Sequence, residues 1–174
     1  IRRLPRSTLF PYTTLFRSQG WIIARILNHM PDNYPFVKGE TVETALYAGL
    51  LPRVLAPKKA VAGGRANFER FTGTELPEST SMDISLVGEG YANYGVIGGI
   101  IFLLFIGIFY NLIIIQTISI AKTYPTVVLW LPVLFFQVVK AETDFATVFN
   151  HFTKAALVAF MVFWGMTKVL KIKM

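Results

Sequence analysis

Residues 90–121 read GYANYGVIGGIIFLLFIGIFYNLIIIQTISIA, 32 positions without a single charged side chain. At about 1.5 Å per residue, a helix of that length reaches about 48 Å, more than the roughly 30 Å of hydrocarbon in a bilayer. This run predicts an all-α integral membrane protein, with a span over about Tyr94–Ser119. Tyr91 and Tyr94 stand where the run meets polar sequence, the level at which aromatic rings prefer to sit. Gly95, Gly98, Gly99 and Gly107 leave a smooth face for close helix contact, a simpler reading than a phosphate cradle.

Two more apolar runs come after it, over residues 124–140 and 145–167, separated by the charged turn KAETD. The first is interrupted by Pro132, which neighbouring helices can accommodate as a kink. About three transmembrane helices are therefore expected over residues 91–174. The whole-chain composition agrees: 53% hydrophobic and 16% charged, with mean hydropathy +0.51, where soluble domains sit near a quarter charged. Lys168, Lys171 and Lys173 put the C-terminus in the cytoplasm by the positive-inside tendency. Counting back, the long loop before Gly90 faces the periplasm or the exterior.

Upstream, residues 19–90 read as an extracytoplasmic loop region with short amphipathic helices. Gln19–Met30 has helical spacing at Trp21, Ile22, Ile23, Ile26 and Leu27, and Pro31 stops it. Thr41–Leu51 repeats the pattern, with Glu40 and Glu43 near its start, where the helix dipole favours acids. Asn67–Phe71 suggests one helical turn, and Ser79–Ser81 a cap for the helix that begins near Met82. Residues 1–18, IRRLPRSTLFPYTTLFRS, match one frame of a short-read sequencing adapter except at Leu4, where proline is expected. They are set aside as foreign, and the chain from Gln19 onward is expected to be the C-terminal portion of something longer. Without their four arginines the net charge falls from +7 to +3. The pI of 9.8 then gives no reason to expect a nucleic-acid partner.

The chain has no cysteine, which excludes disulfides and thiol catalysis, and its two histidines, His29 and His151, make no zinc site of their own. The candidate chemistry lies in the basic loop: Arg53, Lys58, Lys59, Arg65 and Arg70 suit phosphate, arginine as a two-pronged donor and lysine as a point charge. The plainer reading is headgroup contact plus pairing with Glu69, Glu75 and Glu78, strongest for Arg70. Glu89, between two glycines at the mouth of the long apolar run, is a candidate general base, since a desolvated carboxylate holds its proton more tightly. Asp83 is its partner or a first-turn acid. His151 and Lys154 are further candidates within the last run, with snorkelling the simpler account of Lys154.

Over Leu51–Gly99 the pieces LPRVLAPKK and TSMDISLVGEGYANYGVIGG, then the long apolar helix, resemble the C-terminal part of bacterial O-antigen and exopolysaccharide repeat-unit polymerases. Arg53 and Gly64, with ten residues between them, match a spacing found in periplasmic loops of that family. The resemblance implies a multi-span glycosyltransferase that works without metal, nucleotide sugar or other cofactor. It would join undecaprenyl-diphosphate-linked repeat units, with membrane lipid and a chain-length regulator protein as partners. It implies diphosphate binding by Arg53 and Arg65, with Lys59 and Arg70 beside them, while Glu89 as base is a reading of the residues. The related O-antigen ligases, a lipid-linked glycan flippase or transporter, and a purely structural membrane segment are the alternatives. A transporter would spread charges through several spans and show internal repeats; here the cations concentrate in one loop.

Overall fold

The computed structural model describes residues 19–50, 64–78 and 80–169. The adapter-like segment, Arg53, Lys58, Lys59, Ser79, Lys171 and Lys173 lie outside the described residues. All elements are helical: α1 (Gln19–His29), α2 (Glu40–Leu50), α3 (Arg65–Thr72), α4 (Ser85–Ala121), a 3-10 helix (Pro125–Trp130), α5 (Leu131–Phe135), α6 (Phe145–Trp164) and a π-helical turn (Gly165–Val169). The expected helices are present with boundaries shifted by a few residues. Asn67–Phe71 is part of α3, and the long helix starts at Ser85, whose own hydroxyl accepts from Gly88 N–H.

The polar end of the molecule has a core of its own. Ile22, Ile26 and Met30 recur every four residues along and just beyond α1 and meet Phe68 and Phe71 of α3, Ile84 and Ala92, all at most 1% exposed. Each fully buried phenylalanine contributes about 2–3 kcal/mol of transfer free energy. Gly73, at φ +63, ends α3, and its N–H bonds Glu69 O in a left-handed cap.

Two helices, α4 with 37 residues and α6 with 20, are long and apolar enough to cross a membrane. The expected span at 124–140 takes another form. Its α-helical part is short: Pro132 stands in the first turn of α5, where a missing N–H is tolerated, and the residues before it, from Pro125, form the 3-10 helix. This segment still travels the length of α6. Tyr124 stacks edge-on to Phe163 at one end, Phe135 meets Phe152 midway, and Asp144 leads into Phe145 at the other. Residues 124–144 thus run alongside α6 as a 3-10 helix and the short α5, beside the two long apolar helices.

α4 is not one rod. Gly95, at φ +71 and ψ −166, breaks it, in a region that side-chain-bearing residues avoid. The arm before the break folds back on the arm after it, so that a Cβ on Gly99 would lie 3.0 Å from the Gly90 carbonyl carbon. Of the glycines expected to serve a neighbouring helix, Gly98 and Gly99 thus serve a contact of α4 with itself, and Gly95 makes the break and faces Phe36. The carbonyls that the break exposes are met by a run of amides. Val37 N–H donates to Ala92 O (3.1 Å), Lys38 N–H to Asn93 O (3.0 Å) and Gly39 N–H to Asn93 Oδ1 (3.0 Å).

Candidate functional site

Two carboxylates mark the junction between the polar end and the apolar helices. Glu89, in the first arm of α4, is 1% exposed. Its Oε1 accepts from Thr41 Oγ1–H at 2.6 Å and its Oε2 from Phe145 N–H at 2.7 Å. Asn93 completes the knot, donating from Nδ2 to Thr41 Oγ1 and to Glu89 O, both at 2.8 Å. Phe145 is the first residue of α6, and its N–H has no partner within that helix. A carboxylate there supplies an acceptor and faces the positive end of the helix dipole. Asp144 caps the same end by accepting from Thr147 N–H at 2.8 Å. Glu89 therefore ties the starts of α2 and α6 to α4, with both oxygens turned inward.

Asp83, just before α4, faces a cleft of about 470 Å³ where α1, the segment leading into α4 and the loop before α6 meet. Gln19, Ser81, Gln137, Lys140, Glu142, Thr143 and Thr147 supply its polar lining. Burial, and then the charge of Asp144, push the Asp83 carboxyl up from 3.8 to about 6, while bonds from the Gly64 and Asp144 amides pull the other way. Gln19 Oε1 and Gln137 Oε1 are buried acceptors with no donor among the described residues, and both residues line the cleft. Such acceptors call for a partner. A carboxyl that ionises near neutrality, amides, hydroxyls and one ammonium group make a set suited to a polyhydroxylated ligand and to proton transfer.

The remaining candidates are distributed as follows. Arg53 and Lys59 lie outside the described residues; Gly64, a described residue, lies against Asp83. Arg65, the next residue, donates from Nε to Glu69 (2.9 Å) and from a terminal nitrogen to Leu76 O (2.7 Å). Arg70 grips Glu40 with two parallel bonds of 2.8 Å, donates to the Tyr34 hydroxyl, and lies over the Tyr34 and Phe71 rings. The pairing expected for Arg70 with Glu69 or Glu75 is replaced by this fork to Glu40, and its guanidinium serves the fold. His151 Nε2 contacts Val133 O of α5 at 2.9 Å, and Lys154 is exposed on α6. Neither reaches the Asp83 cleft lining. Among the described residues no group of three His, Asp or Glu side chains could hold a metal ion.

Thr41, Asn93, Gln19, Gln137 and Lys140 do not stand out in the sequence as site residues, although two of them carry a signal. Asn93 is an amide inside a charge-free run, and Gln137 is the one amide in residues 126–139. No protein-family model, curated protein or solved structure matches this chain.

Proposed function

We propose that this chain forms part of a membrane glycosyltransferase that joins undecaprenyl-diphosphate-linked oligosaccharide units at the outer face of a bacterial inner membrane. The observation that carries the reading is the Asp83 cleft, a sugar-sized polar recess at the end of two apolar helices, with unpaired amide oxygens and a carboxyl ionising near pH 6. In this reading Asp83, rather than the enclosed Glu89, is the base. The acceptor hydroxyl gives its proton to the Asp83 carboxylate as its oxygen bonds the donor's anomeric carbon. The bond from that carbon to the diphosphate breaks, and the lipid diphosphate leaves with the electron pair. Arg53, Arg65 and Lys59 counter the charge growing on the leaving group. Gln19, Gln137 and Thr143 orient the sugar.

The test is made in the cell that encodes the protein. Asp83→Asn on the chromosome should reduce surface glycan to single repeat units, with the variant still present in the membrane. Long polymer from that variant overturns the role of Asp83. Unchanged glycan after deletion of the gene overturns the whole reading.

A further inference from the structure

Helix α2 has the spacing of a surface helix, yet it does not lie across the end of the apolar helices. It runs beside α6 in the same direction, and the contacts step down both helices together. Thr41 and Phe145 share the Glu89 carboxylate. Ala45 is buried against Phe145 and Phe149. Gly49 approaches so closely that a Cβ there would lie 2.5 Å from the Phe149 ring, and Thr153 Oγ1 donates to Gly49 O at 3.4 Å. Small residues four apart on one helix thus meet Phe145, Phe149 and Thr153, four apart on the other, the close packing that membrane helices favour.

The outer face of α2 is apolar and uncovered: Leu46 is 38% exposed, Tyr47 62% and Leu50 67%. The last charged residue of α2 is Glu43, and Thr44 to Leu50 carry none. Polarity falls along the axis in the same sense as depth along α6. At the start stands Glu40 with its Arg70 fork, and at the end a carbonyl reached by the Thr153 hydroxyl. A helix end in hydrocarbon needs such donors, because no water supplies them. The 11 residues of α2 reach about 16 Å, roughly half of a bilayer's hydrocarbon thickness. Phe105 of α4 and, one turn beyond Thr153, Leu157 of α6 are likewise uncovered apolar side chains.

We propose that α2 is a half-spanning helix inserted beside α6 into the leaflet that holds the start of α6, with Leu46, Tyr47 and Leu50 packed against lipid acyl chains. The inference rests on the membrane reading of α4 and α6 and is independent of glycosyl transfer. It replaces a helix on the surface by one that enters the leaflet.

The test uses the cysteine-free background. Single cysteines at Leu46, Tyr47 and Leu50, and reference cysteines at Phe105 and Leu157, are spin-labelled in the full chain in phosphatidylcholine nanodiscs. Collisions with oxygen, which partitions into hydrocarbon, and with a water-soluble nickel chelate then give each depth. Labels on α2 should deepen from Leu46 to Leu50 and should match Leu157 in excluding nickel. Nickel access at Tyr47 and Leu50, with Phe105 and Leu157 protected, overturns insertion of α2 alone. Nickel access at all five positions overturns the membrane reading and this inference with it. Leu46 serves as the replacement should the Leu50 variant fail to fold.

Discussion

The knot around Glu89 and the cleft around Asp83 are six residues apart in sequence and opposite in design. Glu89 is closed on every side, with each carboxylate oxygen committed to a group at the start of another helix. Asp83 also accepts from backbone amides, but one side of it opens on a polar recess with amide oxygens that have no donor among the described residues. The difference teaches what separates a carboxylate that holds a fold from one available for chemistry. Burial is common to both. What distinguishes them is whether the surrounding donors saturate the group or leave it facing space.

The strongest way to break that contrast is to remove the Glu89 carboxylate. Glu89→Ala leaves the Phe145 amide and the Thr41 hydroxyl buried without an acceptor, each worth about 1–3 kcal/mol, so the fold should lose about 3–5 kcal/mol. Unfolding in mixed detergent micelles, followed by tryptophan fluorescence, measures the loss, and Asp83→Asn at neutral pH should show no comparable one. Wild-type stability in Glu89→Ala would free Glu89 from its structural role and return it to the candidates for base. Next in size is Gly95→Ala. The break at Gly95 carries the arm that bears Glu89 back against the rest of α4, at a φ/ψ that alanine adopts only with strain. The same assay should show a loss of about 1–3 kcal/mol. A methyl group added at Gly107 would meet nothing within 4 Å, and alanine there should be tolerated.

Much of this fold is legible in the sequence because periodicity and proline speak for themselves. Ile22, Ile26 and Pro31 give α1 and its end, and the uncharged run gives α4. The knot is not legible, because it joins Thr41, Glu89, Asn93 and Phe145 across about a hundred residues, and two of its donors are a backbone amide and a hydroxyl that no pattern marks. Glu89 stands out for the right reason, its place at the edge of an apolar run, but the same desolvation that suggests a base also calls for internal partners. Arg70 shows the converse. Charge alone suggests phosphate, while Glu40, 30 residues upstream, already holds its fork. Over residues 124–140 the sequence predicts a helix kinked at Pro132, and the structure has a 3-10 helix followed by the five residues of α5, because hydropathy counts composition and not the hydrogen-bond ladder.

The smallest effect is the most discriminating, because it ties Asp83's ionisation to both stability and rate. Its carboxyl ionises at about 6 in the fold against 3.8 ordinarily, with burial as the main cause. The folded state therefore binds more protons than the unfolded one between those values, and stability must fall as pH rises through that window. The contribution is fully present below about pH 4 and gone above about pH 6. A general base has the opposite dependence, since only the ionised form accepts a proton, so transfer should rise as pH passes 6. Wild-type protein should thus become slightly easier to unfold over the interval in which the proposed transfer rises, and Asp83→Asn should flatten the part of the stability profile due to this group. Unfolding midpoints from pH 4 to 7, beside the rate of polymer formation in membranes, supply both curves. A stability profile identical in Asp83→Asn and wild type would mean that Asp83 is as solvated as an ordinary surface acid, and the contrast with Glu89 would reduce to exposure alone.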